Sequence, residues 1–338
     1  MNWPRVCAAL VCGGLLGCSR SSAPPSGAAG DAIALPLRVA PRAAADVRRE
    51  RRRGIAPLAA PALTEQASVR AALGRRMFFD AALGGAGTLA CTRCHVAEKA
   101  GAGPAHTLPV VGHIETPPLL DLRAYALFGT DGATASLASY MGSHLAQLSA
   151  GVEPSTRDVA LDSAYGGALR AAFATGDGEG QASVATLSAR ALAAYLDTLV
   201  APSRVDAFLG GDDSALAPTE SRGFDLFFAK GCVSCHDGSA FGGRKMATLG
   251  LVLPWAGDAP LGEHIEWKPT RQRRVSSLRT VALTAPYFHE GAIDQLPMAV
   301  SLMATHQLGV TLDDDERAAL VAFLLAMNAP MPSTFRAP

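Results

Sequence analysis

Cysteine is nearly absent from the body of this 338-residue chain. Of its seven cysteines, Cys7, Cys12 and Cys18 lie in the first eighteen residues and the other four fall in two pentapeptides. No structural disulfide is therefore available to the rest. Aromatic residues are scarce at 6% while alanine is abundant, which favours helix over sheet. No long stretch alternates apolar and polar side chains, so little sheet is expected. Neither sign of charge is in excess, with 30 Lys+Arg against 30 Asp+Glu. That argues against nucleic acid as a partner, which asks for a basic face. What is present is a hydrophobic content of 49%, enough for a sizeable core, on a chain long enough for two domains.

The two pentapeptides are Cys91-Thr92-Arg93-Cys94-His95 and Cys232-Val233-Ser234-Cys235-His236. Cys-x-x-Cys-His is the attachment pattern of a c-type haem. Two thiols form thioethers to the porphyrin edge, and the histidine next in the chain reaches the iron as proximal ligand. The three residues must be contiguous because one short turn has to present both sulfurs and the imidazole to one flat macrocycle. The rival reading is two halves of a zinc site. Zinc gives no reason for a histidine directly after the second cysteine in both copies.

In chain order, residues 1–17 read as a secretory signal, with Arg5 ahead of an apolar run from Val6 to Leu16. That run is too short for a comfortable membrane span. Its end, Leu15-Leu16-Gly17-Cys18, resembles a bacterial lipobox, which implies cleavage before Cys18 and lipid on its thiol. The alternative is an ordinary secretory signal cut elsewhere. Export suits the haems, whose covalent attachment is generally completed outside the cytoplasm. A periplasmic, lipid-anchored protein is expected. Residues 18–61, which carry Ser, Pro, Gly and Ala and then the arginine cluster Arg48 to Arg53, read as a flexible tether with a solvated charge run. Contact of the arginines with anionic lipid or a partner is the alternative.

From Thr64 the pattern becomes helical, with Leu73, Met77 and Phe78 on one face. A matching stretch, Gly223 to Phe228, precedes the second pentapeptide. The repeat is an apolar helix ending in Phe-Phe, then Cys-x-x-Cys-His, which argues for two related haem domains in tandem. Leu187, Ala191, Tyr195, Leu196 and Leu199 form a further helical stripe that closes before Pro202, and 210–218 reads as a linker. The last helix is expected to begin near Asp313, with Glu316 completing a capping box and Leu320, Phe323, Leu324 and Met327 as its buried face. The expected fold is all-α, as two tandem cytochrome c-type haem domains over 62–209 and 210–332.

With these motifs the chain resembles the bacterial di-haem cytochrome c peroxidases and their MauG-like relatives, over roughly 62–330. Val275 to Gly291, including Tyr287-Phe288-His289-Glu290-Gly291, is close to the family's signature. Leu73 to Asp80 looks like the family's opening helix, and Ala299 to Met303 followed by Gln307-Leu308-Gly309 looks like the segment bearing a distal methionine. The resemblance implies two covalently bound c-type haems. The C-terminal haem would take electrons from a small cytochrome c or cupredoxin, and the N-terminal haem would react with hydrogen peroxide. Dimerisation is common in the family, though one chain shows no interface.

The resemblance also assigns ligands. His95 and His236 are the proximal pair. Met303 is the distal position of the C-terminal haem, where a soft thioether raises the potential; MauG-like relatives carry tyrosine there. For the N-terminal haem His113, in Val111-Gly112-His113, resembles the family's switchable distal histidine, with His106 as the other candidate. A calcium site is implied at Glu115, Thr284 and Pro286, with glutamate where asparagine is usual. Arg279 suits a haem propionate as a bidentate donor. His289 reads as a domain-interface or haem-environment residue, not an iron ligand.

Two departures stand out. The family's inter-haem tryptophan is missing from Phe128-Gly129-Thr130-Asp131-Gly132. The family's catalytic glutamate has no clear counterpart. Gln147 is one candidate position, Glu153 is nearby and able to do acid–base work, and His144 is another proton carrier. The leading expectation is a peroxidase reducing hydrogen peroxide to water. MauG-like oxidation of a partner protein and a non-enzymatic di-haem electron carrier or redox sensor are the rivals.

Overall fold

The computed structural model describes residues 44–83, 90–108, 112–149, 153–174, 179–255, 272–289 and 291–337. Helix dominates. In order run α1 (Ala44–Arg53), α2 (Glu65–Phe79), α3 (Leu137–Leu148), α4 (Pro154–Leu161), α5 (Gly167–Ala172), α6 (Val184–Asp197), α7 (Arg204–Leu209), α8 (Pro218–Ala229), α9 (Leu296–Leu308) and α10 (Asp314–Ala326). The sheet is confined to two antiparallel pairs. β1 (Gly103–Leu108) pairs with β2 (Gly112–Thr116), and β3 (Met246–Thr248) with β4 (Gln272–Arg274).

Two apolar cores organise these elements. In the first, α2 crosses α6, and α3 packs on α6. Met77, Phe78, Leu187, Ala191, Tyr195, Leu196 and Leu199 are buried there, as their helical spacing requires. In the second, α8 crosses α10 around Phe224, Phe227, Leu320, Phe323, Leu324 and Met327. Local chemistry sets the helix starts. The Thr64 hydroxyl accepts from the Ala67 amide at α2, Ser183 does the same for Thr186 at α6, and α10 opens with the expected Asp313–Glu316 capping box. The two crossings share a device. A Cβ on Gly74 would collide with the Ala191 carbonyl and Tyr195, and one on Gly223 with the Ala319 carbonyl and Phe323. Each helix that leads into a haem motif therefore approaches its partner backbone to backbone.

Two boundaries differ from the expectation. The arginine cluster is not a solvated tether. Residues 44–53 are α1, and Arg48, Arg51, Arg52 and Ile55 lie at i, i+3, i+4 and i+7 against the second core. Arg48 pairs with Asp225, and Arg51 donates to the Asp225 carbonyl at 3.2 Å. Arg52 is 6% exposed, donates to the Phe208 carbonyl at 2.9 Å, lies 4.5 Å over the Phe208 ring and pairs with Asp213 at 2.7 Å. The helix carries no apolar stripe, so its docking rests on charge and cation–π contact. Residues 18–43 lie outside the described residues. Helix α7 likewise belongs to the second core, through Val205, Phe208 and Leu209, so the chain passes between cores near Pro202 and Ser203 rather than at 210.

Candidate haem sites

Each pentapeptide folds into the same tight turn. The amides of Cys94 and His95 donate to the Cys91 carbonyl at 3.1 and 2.9 Å, and those of Cys235 and His236 donate to the Cys232 carbonyl at 3.3 and 3.0 Å. All four thiols are free. Burial pushes the Cys91 thiol up to about 12 and Cys232 up to about 11, so both stay neutral.

The histidines are oriented alike. His95 Nδ1 lies 2.7 Å from the Gly101 carbonyl. His236 Nδ1 lies 3.1 Å from the Ser276 carbonyl and 3.3 Å from that of Phe241. A carbonyl only accepts, so Nδ1 carries the proton in both and Nε2 keeps the lone pair that a metal needs. Burial holds His236 below its ordinary value, favouring the neutral, ligating form.

The second site is a cavity of about 340 Å³ whose walls are mostly apolar. Cys232, Cys235 and His236 line it, and so does Met303 from α9. His289 also lines it, as a haem-environment residue would. The donor set fits a c-type haem: two thiols and an imidazole on one turn, and a thioether in the same chamber. A further observation agrees. Arg274 of β4 lines this cavity, and its Nη1 is buried with no acceptor among the described residues, which suits a carboxylate of the bound group. Nothing in the sequence marked Arg274 out from its neighbours.

Arg279 does not have the propionate role expected of it. Its guanidinium pairs with Asp206 at 2.5 and 2.8 Å, and also donates to the Ser239 carbonyl and the Ser203 hydroxyl. These bonds occupy all five of its N–H groups, because Ser203 and Asp206 sit on the crossing between cores.

At the first site two described rings stand beside His95, those of Phe78 and His144, each with its centre 6.5 Å away. His144 is stacked on Tyr140, one turn earlier in α3, at 5.9 Å and 18°. The side chains of His106, His113 and Glu115 lie outside the described residues; their backbones belong to the β1–β2 hairpin, where Thr107 pairs with His113. Gln147 and Glu153 are both exposed, so the structure does not bring either to His95. Near the expected calcium position, Lys99 Nζ donates to the Ala285 carbonyl at 3.1 Å, and the Thr284 hydroxyl donates to Val281.

Where the tryptophan is missing, Gly129 takes a positive φ of 81° and its carbonyl accepts from Arg274 Nε at 2.9 Å. The Arg274 guanidinium lies 4.9 Å over Tyr125, whose ring stacks on Phe128 at 6.3 Å. An arginine–aromatic stack thus fills the ground between the two lobes.

Comparison with known proteins agrees with this geometry. Residues 68–214 match the family model for di-haem cytochrome c peroxidase, and 220–328 match that for cytochrome c. The chain is 33% identical over 278 residues to a cytochrome c551 peroxidase of Pseudomonas aeruginosa, covering 77% of this chain and 79% of that one. It is 29% identical over 285 residues to a cytochrome c551 peroxidase of Nitrosomonas europaea, covering 80% and 83%. The fold is that of a MauG-like protein associated with microbial copper homeostasis, at TM-score 0.64 and 23% identity, covering 84% of this chain and 96% of that one. A third of its residues shared with a peroxidase over three quarters of its length, together with two haem-attachment turns built alike, place this chain in the di-haem cytochrome c peroxidase family.

Proposed function

We propose that this di-haem peroxidase reduces hydrogen peroxide to two molecules of water, taking up two protons and two electrons from a small cytochrome c or cupredoxin. The observation that carries the reading is the shared cavity of His236 and Met303 in one lobe, with His95 held by the same carbonyl-bound Nδ1 in the other. When bound, the haems supply the redox chemistry, storing electrons at one lobe and meeting peroxide at the other. The chain's own residues divide the work. Cys232 and Cys235 would anchor the electron-entry group, and His236 and Met303, which line the same cavity, would hold its iron; a thioether beside an imidazole favours the reduced form. The apolar wall keeps water out and raises the potential further. Arg274 neutralises an anionic edge of that group. Cys91, Cys94 and His95 hold the peroxidatic group. Gln147 and Glu153 take no part in the proposal, because both are exposed.

The protein works outside the cytoplasm in this reading. The signal-like segment ending at Cys18 and the attachment chemistry of the motifs support it. Among the described residues no helix is long and apolar enough to cross a membrane, so attachment would be through the Cys18 lipid. Calcium at Glu115, Thr284 and Pro286 stays part of the proposal as a bridge between the lobes.

The test is turnover of the mature protein carrying two haems. Peroxide-dependent oxidation of a reduced small cytochrome, lost in Cys91→Ala/Cys94→Ala and slowed in Met303→Leu, is the expected result. Two intact haems without such turnover would reject the peroxidase reading in favour of an electron carrier.

A further inference from the structure

The two lobes carry equivalent cavities. One lies in the second lobe beside His236 and Met303. A smaller one lies in the first lobe. Their walls correspond along the chain. Leu122, Phe128 and Leu137 of the smaller cavity stand at one constant spacing from Val281, Tyr287 and Leu296 of the larger. The backbone repeats with them. Asp121 and Thr280 both take a left-handed φ, 62° and 54°, each just ahead of a short 3-10 turn. The bridge between Phe128 and Thr134 recurs between Tyr287 and Ile293. The smaller cavity is therefore the first lobe's counterpart of the chamber that His236 lines.

Arg274 of β4 lines both cavities. The other basic side chains in the wall of the larger one are Lys230, which pairs with Glu316 at 2.5 Å, and Arg273, which does not reach the smaller. Arg274 belongs to the second lobe in sequence, yet the first lobe holds it. Its amide donates to the Thr130 carbonyl at 2.8 Å, and its Nε donates to the Gly129 carbonyl at 2.9 Å. Its guanidinium lies 4.9 Å over the Tyr125 ring. These contacts fix the plane of the fork but leave its charge uncompensated, because each partner is neutral. Nη1 is buried with no acceptor among the described residues. Burying such a donor unpaired is costly, and a carboxylate is the acceptor that a guanidinium edge fits.

We propose that Arg274 is shared between the two haems: its guanidinium pairs with a carboxylate of the group bound in each lobe, and its single charge raises the reduction potential of both. This rests on the reading that each lobe carries a haem, and it extends to the first lobe the role given to Arg274 in the second. A haem bears two propionates on one edge and gains one negative charge on reduction. A cation held near it therefore favours the reduced form, and in a site closed to water that attraction is weakly screened. Placed between two such groups, one cation acts on both. It also offsets the repulsion between carboxylates that approach one another across the joint.

The experiment measures both haem potentials by optical titration at an electrode, in the wild type, Arg274→Gln and Arg274→Lys. Haem is counted as its pyridine complex, and Cys91→Ala/Cys94→Ala, which keeps only the C-terminal haem, tells the two waves apart. Arg274→Gln is expected to keep both haems and to lower both potentials. Each reduction equilibrium falls roughly tenfold, which is about 59 mV for one electron. Arg274→Lys keeps the charge and shows less than half of either shift. A fall at the C-terminal haem alone overturns the proposal, and so does no shift at either haem. A fall in Arg274→Lys as large as in Arg274→Gln also overturns it, because packing rather than charge would then set the potentials. Should Arg274→Gln not hold two haems, Arg274→His replaces it, titrated between about pH 5 and 8 beside the wild type. Both potentials then fall together, relative to the wild type, as the imidazole loses its proton, and a fall at one haem or at neither overturns the proposal. A wild-type haem count below two overturns instead the reading on which it rests.

Discussion

Arg279 and Asp206 form an ion pair that water barely reaches, with side chains 1% and 6% exposed. The pair is fully satisfied. Asp206 also accepts the Leu58 amide at 2.6 Å and the Ser203 amide at 2.7 Å, so one carboxylate ties the segment after α1, the start of α7 and the signature segment together. Removing one partner of such a pair leaves a buried charge unpaired, which costs about 3–5 kcal/mol. Arg279→Met should therefore lower the unfolding free energy by that amount, read as a lower urea midpoint at unchanged slope, and adding Asp206→Asn should recover part of the loss. A loss under about 1 kcal/mol would mean that the pair does not hold the crossing. Residues differ in how far a sequence exposes them. Cys91, Cys94, His95 and their second copies were legible, because covalent attachment demands contiguity. Arg279 was misread because a motif fixes a position in the chain but not the partner that the fold brings to it. His144 passed only as a proton carrier, because a single histidine in a helix has no pattern, and its place beside His95 is set by how α3 packs.

At the level of elements the same helix crossing is used twice. Gly74 and Gly223 each stand four residues before the first Phe of their Phe-Phe pair, and each touches a helix at an alanine whose i+4 neighbour is aromatic, Ala191–Tyr195 and Ala319–Phe323. Phe78 and Phe227 then lie in the two cores at matching places, ahead of the two haem turns. Since the obstruction is mainly backbone, alanine at either glycine must push the helices apart. Gly74→Ala and Gly223→Ala should each cost about 1–3 kcal/mol, at the upper end where the backbone cannot yield. Each should also perturb the absorption of the haem in its own lobe more than the other. Equal perturbation of both haems by both variants would show that the crossings do not act locally. The helices of both cores, their caps and the repeat were legible because apolar spacing and capping boxes are local signals. Helix α1 and the first hairpin were not. The face α1 presents is arginine rather than apolar, and what makes it a docking face is Asp225, Asp213 and the Phe208 ring, about 160 to 180 residues away in the chain.

The whole molecule is held by its ends as well as its middle. The segment at the N-terminal side, α1 with Ile55, packs on the core built by α8 and α10. The segment at the C-terminal side does the reverse. Phe335 is 1% exposed in the first core, 5.9 Å from the Phe78 ring, and the Thr334 carbonyl accepts from Arg75 at 2.9 Å and from the Tyr195 hydroxyl at 2.9 Å. Each lobe is thus strapped by chain that belongs, in sequence, to the other. Domains joined by one polar linker are expected to move and to part when it is cut, whereas crossed ends predict otherwise. A protease site placed between Gly210 and Gly211, both exposed, should yield two fragments that run together in gel filtration and separate only in denaturant. The straps should also be separable by mutation. Phe335→Ala should cost about 3–5 kcal/mol as a large buried ring removed, and in the nicked protein it should loosen the fragment pair, while Val159→Ala, at an exposed position, should leave it intact. Fragments that part on nicking without denaturant would show that the peptide link alone joins the lobes, and that the burial of Phe335 and Ile55 contributes nothing to holding the two haem sites at a fixed separation.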